Sequence, residues 1–400
     1  MTQQAQASTP VQDNTTRQVR RTLWANDWAI KAATPVGFVL IFVALQLVLD
    51  RGFFVAVPRV LNIHQNVPVL LLATAAVVGL LGGAFDLSIA GNATLSTFLV
   101  IGLTSQQGLP LPVVIILVLL FGAVVGTVNG IVVSTLGINV IIATLGMGSV
   151  LVGLSSAYSG GAVMSATGGS PLPDWFLEFG SFTTKLPFLA QAVVVILALV
   201  VLWIGLGKLN LADRLGRYWP VWRLAAVLVL GLVAYFVLDL AGWLTALSVL
   251  TGAYLVVVLM VWILMDRTMQ GRAIKATGAN PLAARLAGVK TGRETYRAFV
   301  VSGLLSATAG IAIAANQGSA SPDVAGGFLL PAFAAAFLST VIFSAGRFTV
   351  TGTAVGGIFI IWVAQGLIEG GLPFTWTGVV NGVVLIIAVG LSAALKRKVN

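Results

Sequence analysis

The feature that most constrains this chain is a succession of apolar runs, each long enough to cross a bilayer. A hydrocarbon core about 30 Å thick takes about 20 helical residues at about 1.5 Å each. Runs of that size occupy residues 32–50, 67–84, 111–134, 139–160, 188–206, 220–240, 243–265, 298–315, 328–345, 349–369 and 376–394. A twelfth stretch, 87–105 (LSIAGNATLSTFLVIGLTS), is more polar, yet too long and too apolar to be a water-exposed loop between such neighbours. Composition agrees, with 58% of residues hydrophobic and only 8% charged. Soluble chains carry about 25% charged residues. With so little charge this chain cannot cover a water-facing surface and must use lipid as solvent for most of its area. The expectation is an all-α integral membrane protein of about 12 transmembrane helices. A single transmembrane domain over 31–396 follows a disordered cytoplasmic tail at 1–30.

Basic residues test the count, because Lys and Arg in short loops stay mostly on the cytoplasmic side. With twelve spans and both termini cytoplasmic, 19 of the 22 fall inside and only Arg51, Arg59 and Lys185 fall outside. Removing the span at 87–105 would place the basic segment 266–297 outside, against the N-terminal signal of Arg17, Arg20 and Arg21. The net charge of +10 therefore reads as an orientation signal. Nucleic acid is not expected as a partner, since the basic residues sit between apolar runs rather than on a soluble face. The first thirty residues lack the short apolar core and small-residue cleavage site of a signal peptide, so the first span is expected to stay uncleaved. Zero cysteines and one histidine, His64, leave no disulfide framework, no thiolate or His-based metal cluster and no cysteine nucleophile.

Two connecting segments are long. The outer one, 161–187, carries Trp175, Phe176 and Phe179 beside Asp174 and Glu178. That pattern suits a short helix at the interface, either a partner contact or a structured cap. The inner one, 266–297, holds seven basic residues. Within it, Asn280 followed by Pro281 predicts an N-cap and first-turn pair, because the cap oxygen takes a free N–H and proline has none to leave unpaired. Leu282, Ala283, Ala284, Arg285, Leu286 and Ala287 favour helix, and Gly288 supplies a left-handed stop. A helix of about two turns is marginal alone in water and needs tertiary contacts or a partner. It is either a docking knob for another protein or a solvated loop helix.

Polar groups inside apolar spans are costly and face a cavity or a neighbouring helix. Asp86, Ser88, Asn92, Thr94 and Ser96 follow directly on Gly82 and Gly83. They suit a broken helix lining a pathway, or a turn in which Asp86 caps the third span, the favoured reading for that residue. Asn129, Thr144, Thr340, Ser344, Gln365 and Asn381 stand alone on apolar helices. Each suits interhelical hydrogen bonding, and together they are able to line a polar route for a hydroxyl-rich solute. No G-x-x-x-x-G-K-[ST] run occurs, so no phosphate-cradling loop of that kind is present. The spans show no acid–base pair of the sort that couples ions to transport, so energy for uphill movement would enter from outside the chain.

Five stretches occur in a telling order: GAFDLS at 83–88, GTVNG at 126–130, INVIIATLG at 138–146, GRAIKATGANPLAARLAGV at 271–289 and GSASPDVAGG at 318–327. Together they resemble the permease subunits of bacterial ABC importers for monosaccharides, the ribose/xylose/galactoside type, across residues 60–390. The resemblance implies a homodimeric multi-pass channel in the bacterial inner (cytoplasmic) membrane. It would take sugar from an extracytoplasmic sugar-binding protein and be driven by a separate ABC ATP-binding subunit. This chain would be no enzyme and would bind no cofactor, ATP and magnesium belonging to the partner. Asn280 to Gly288 look like the coupling helix seated in a cleft of the ATPase, with Ala283, Ala284 and Gly288 at the matching small positions. GAFDLS looks like a Gly-Gly-Ile-Asp-Leu-Ser region. Asp86, Leu87 and Ser88 match it, Ala84, Phe85 and Ala90 depart from it, and Asn139 stands where a proline is common.

A usual chain of this kind is shorter and looks ten-spanned. The additional helix pair at about 186–241 looks like the xylose-type subgroup, which implies xylose or a related sugar as substrate. The pathway candidates are Asp86, Ser88, Asn92, Asn129, Thr144, Thr340, Gln365 and Asn381, with no catalytic residue and no metal. Two other readings stand beside this one. An ion-coupled secondary carrier has the helix count in its favour, while an integral membrane enzyme has little to offer with one His and no Cys.

Overall fold

Among the described residues helices form where the apolar runs lie, but their ends and exposed faces follow from what each one packs against. The computed structural model describes residues 40–49, 53–166, 171–207, 224–227, 229, 239–342, 346–386 and 390. Helix α1 covers 40–48. Helices α2 (Ala56–Gln65) and α3 (Val67–Leu81) meet at a 58° bend. Helix α4 (Ile89–Ile101) ends in a π-helical turn at Gly102–Gln106, and α5 (Leu111–Ser134) and α6 (Val140–Ser159) follow. Strand β1 (Met164–Ser165), α7 (Asp174–Gly180), α8 (Phe188–Gly207) and α9 (Leu240–Ala246) come next. Helix α10 (Val249–Trp262) runs on through a π-helical turn at Ile263–Arg267. Then come α11 (Met269–Ala279), the short α12 (Pro281–Leu286) and the long α13 (Thr291–Gln317). Strand β2 (Ser319–Ala320) pairs antiparallel with β1, and α14 (Leu329–Ile342), α15 (Val350–Glu369) and α16 (Thr377–Ile386) complete the set.

The protein is all-α and multi-pass. Among the described residues five helices are long and apolar enough to cross a membrane alone: α5, α6, α10 with its π turn, α13 and α15. A sixth is gained if α2 and α3 count as one span. The expected tail at 1–30 lies outside the described residues, as do Ser344 and, apart from 224–227, 229 and 239–240, the expected span at 220–240. The polar span expected at 87–105 is α4 with its π turn. Segment 266–297 differs from a loop, being helical nearly throughout, and α13 begins at Thr291 rather than near 298. Hydropathy marks where a helix meets water, whereas the helix itself continues as long as its backbone is satisfied. Thr268 Oγ1 caps α11 by accepting from Gly271 N at 3.0 Å, and Glu294 pairs with Arg297 at 2.7 Å one turn along α13.

All fifteen residues of α3 are buried, so this helix is the central post of the molecule. Helix α5 shows how one run serves two solvents. Val113, Leu117, Leu120, Val124, Val128 and Ile131 recur every three or four residues and are exposed on a lipid-facing stripe. The opposite face buries Val114, Val118, Val125 and Asn129 and presents Gly122, Gly126 and Gly130 to α13. A side chain on Gly126 would collide with the backbone of Phe299, so the two helices approach almost backbone to backbone. In lipid, where burying apolar surface between helices yields little, close packing of small residues and interhelical hydrogen bonds hold such pairs.

The inserted segment leaves and returns at a single place. Leu186 N donates to the Leu247 carbonyl (2.8 Å) and Val249 N to the Thr184 carbonyl (3.0 Å). These two bonds close a neck where the chain leaves after Leu186 and returns at Leu247, and Trp243 just before that return meets Trp362 of α15, ring centroids 5.7 Å apart.

Candidate functional site

Among the described residues polar groups gather at a break below α3, around the exposed helix α12, between α2 and the end of α15, and at a cavity beside α2, α7 and α13. Helix α3 spans 15 residues, about 22 Å at 1.5 Å per residue, short of an apolar core about 30 Å thick. The chain turns directly after it. Gly83 makes the turn with φ +78, a backbone shape that residues with a Cβ rarely adopt. Asp86 follows, 2% exposed, and both its carboxylate oxygens are engaged. Oδ1 accepts from Ser88 N (3.2 Å) and Ser88 Oγ (2.6 Å), and Oδ2 accepts from Ser302 Oγ (2.8 Å) on α13. Asn129 Nδ2 on α5 donates to Ser88 Oγ (2.8 Å), Asn92 Nδ2 donates to the Gly303 carbonyl (3.0 Å), and Thr144 Oγ1 on α6 donates to the Phe85 carbonyl (3.1 Å). Five of the eight pathway candidates thus meet at one turn and bind α3, α4, α5, α6 and α13 to one another. A turn with its backbone unpaired in lipid would cost several kcal/mol per group; here the neighbouring helices supply the partners.

The other three candidates lie elsewhere. Thr340 Oγ1 donates to Phe337 O within its own helix (2.7 Å). Asn381 sits on α16. Gln365 joins the outer end of α15, where its Oε1 accepts from Asn62 Nδ2 (3.3 Å) and its Nε2 donates to Glu369 (3.2 Å). Glu369 also pairs with Arg59 of α2, which is 2% exposed and lies over the Phe53 ring at 4.4 Å. Sequence reasoning missed this pair because 310 positions separate its members. It missed Ser302 as well, since nothing local distinguishes that serine from others on apolar helices.

Helix α12 is fixed by local chemistry at both ends. Asn280 has extended backbone and its Oδ1 accepts from Ala283 N at 3.0 Å; Pro281 opens the helix, and Gly288 ends the segment at φ +85. Ala284 is buried, Arg285 Nε donates to Thr291 Oγ1 at 2.7 Å, and Leu282 and Leu286 stand 69% and 83% exposed. The preceding helix, α11, reaches the turn that follows α3. Gly278 of α11 packs on Gly83, so that a Cβ on Gly83 would lie 3.1 Å from the Gly278 Cα.

On the far side lies a cavity of about 490 Å³ lined in part by His64, Gln65, Ser181, Asn316 and Gln317. Helix α2 has ten residues and bears Arg59, Asn62 and His64, all three buried against neighbouring helices. His64 is 3% exposed; Nδ1 lies 2.7 Å from Ser248 Oγ and Nε2 3.4 Å from Asn316 Nδ2. Burial, and then the charge of Lys185, push its pKa down to about 4, against a backbone hydrogen bond at Gly180 that raises it. Lys185 lies over the Phe182 ring at 3.2 Å and donates to the Ala246 carbonyl. The cavity lining therefore offers neutral amide, hydroxyl and imidazole groups.

Known proteins place this arrangement. The chain is 27% identical over 285 residues to a galactose/methyl galactoside import permease protein of Haemophilus influenzae, covering 71% of this chain and 68% of that protein. It is 27% identical over 364 residues to an autoinducer 2 import system permease protein of Photorhabdus laumondii, covering 88% and 90%. It is also 26% identical over 367 residues to a fructose import permease protein of Rhizobium meliloti, covering 92% and 86%. No solved structure matches the chain. The family described as branched-chain amino acid transport system / permease component matches residues 61–210 and 233–389. The chain belongs to that family, as a multi-pass permease subunit of the cytoplasmic membrane rather than an enzyme.

Proposed function

We propose that this chain is the permease of an ATP-driven importer that carries a monosaccharide, xylose or a related sugar, into the cell. It works as a homodimer, receives sugar from an extracytoplasmic binding protein, and is driven by a separate ATP-binding subunit that holds the ATP and magnesium. The observation that carries this reading is α12. It is a capped helix of six residues with two leucines standing in solvent, on the face where the basic residues gather. A helix so short persists only when held, and its exposed leucines suit a cleft on another protein. The relatives, import permeases for galactose, fructose and autoinducer 2, support a small hydroxyl-rich solute. Xylose is favoured by the added excursion at 187–246, and the neutral polar lining around His64 suits an uncharged sugar.

In this mechanism ATP-driven closure of the partner displaces Asn280–Gly288, and the helices attached to α12 reorient to open the solute path to alternate sides. Proteoliposomes holding the whole importer should accumulate xylose only with ATP and binding protein present. Accumulation by this chain alone, energised by an ion gradient, would instead establish the secondary carrier.

A further inference from the structure

The segment Asn280–Gly288 is separated by a single residue, Ala279, from Gly278 of α11. Gly278 sits against the turn that ends α3 with no space for any side chain. A Cβ there would lie 2.7 Å from Gly83 N and would also collide with the Leu81 carbonyl. Gly82, next to it, approaches Ala298 of α13 so closely that its own Cβ would come within 2.5 Å of the alanine Cβ. The turn is thus gripped by α11 from the cytoplasmic side and by α13 laterally. Three residues on, Asp86 fastens the same turn to Ser302 of α13 and to the first residue before α4, Ser88, which Asn129 holds to α5.

We infer that the Gly82–Ser88 turn is the joint through which movement of α12 reaches α4 and α13, with Gly278 and Gly83 as its bearing surface. Asp86 is a positioning residue within it and makes no contact with solute. This rests on the importer reading above. The physical argument is one of stiffness and commitment. Two backbones in direct contact transmit displacement without the slack of an intervening side chain, because packed interiors shift between discrete arrangements rather than deform. Both oxygens of Asp86 are already occupied by Ser88 and Ser302, and among the described residues no ion pair reaches it.

The test uses the complete importer in proteoliposomes, reading ATP hydrolysis and xylose uptake together. Gly278→Ala should leave hydrolysis within about twofold of wild type while uptake per ATP falls about tenfold, the scale of a lost coupling free energy. Gly292→Ala, whose new Cβ would meet only Ser134 at 3.8 Å, should change neither. Asp86→Asn retains an acceptor for Ser88 and a polar group for Ser302, so it should keep at least half the uptake, whereas Asp86→Ala should lose most of it. Equal loss in Asp86→Asn and Asp86→Ala would assign the carboxylate a charge-dependent role in transport and overturn the proposal. So would full coupling in Gly278→Ala. Should that variant fail to assemble, Ser302→Ala, which adds no volume, decides the matter by the same ratio.

The chain has no cysteine, so spin labels at Lys290→Cys, exposed just after α12 and away from its leucines, and at Gln106→Cys report motion of α12 and of the far end of α4 even if the transported sugar is not xylose. Trapping the ATPase should move both labels in the wild type and only the first in Gly278→Ala. Movement of both labels in the variant refutes the joint, while absence of uptake with intact label movement refutes only the sugar.

Discussion

The first half of α13 and its last turn meet their surroundings differently. Between Ala298 and Gly303 the helix packs tightly: Gly303 against Gly122 and Gly126, Ser302 against Asp86, Ala298 against Gly82. Its last turn, with Asn316 and Gln317, borders a cavity of about 490 Å³, Gly318 at φ +63 closing the helix, while Gly180 of α7 still packs on the Ala315 backbone. The stretch 298–303 leaves no room for a side chain on its glycine neighbours, and its hydrogen bonds are made within the protein. The last turn has open space on one side and neutral polar groups. A helix of 27 residues, about 40 Å long, is thus locked along one stretch and open beside another.

The contrast can be broken most severely in the tight stretch. Gly126→Val should cost several times the roughly 1–3 kcal/mol of ordinary overpacking, because the obstacle is the Phe299 backbone rather than a movable side chain. The expected result is loss of the monodisperse protein on size-exclusion chromatography, and a normal melting temperature would show that the seam has slack. At the cavity the effect should depend on pH. His64 holds a pKa of about 4 in the fold against 6.5 when free, so the unfolded chain takes up a proton first as pH falls. Stability is full above about pH 6.5 and declines towards pH 4 by at most about 1.4 kcal/mol per unit. Melting temperature against pH, compared with His64→Gln, isolates this slope because the chain has no other histidine. A slope unchanged in the variant would remove His64 from the account.

Helix α12 supplies two smaller effects that sharpen the comparison from outside the core. Asn280→Ala should cost about 1 kcal/mol of local helix stability through the lost cap, visible as faster amide exchange at Ala283 and as weakened uptake. Leu286→Ser should change the melting temperature least, since an exposed substitution stays within about 0.5 kcal/mol. Its effect should appear in co-purification with the ATP-binding subunit, and undiminished co-purification would mean that α12 is not where that partner sits.

Much of the fold was legible because the bilayer reduces the choice to helices of a given length. The α12 segment was legible too, since Asn280, Pro281 and Gly288 act within a few residues of one another. The meeting of Asp86, Ser88, Asn92, Asn129 and Thr144 was foreseen only as a set of scattered polar residues. Their partners Ser302 and the Gly303 carbonyl lie more than 200 positions away, and no local pattern announces which serine of an apolar helix will face which carboxylate. The bearing of Gly278 on Gly83 was likewise invisible, although a glycine inside a helix costs about 1 kcal/mol against alanine and so hints at a packing demand.

By itself the sequence determined what depends on neighbours along the chain and on the solvent: helical runs in lipid, basic residues on one face, a capped turn and its stop. Only the tertiary structure decided where α3 ends, which hydroxyls hold Asp86, and which glycines touch. Those outcomes depend on which helix faces meet across hundreds of residues, and hydropathy, being alike on nearly every span here, carries no information about that choice.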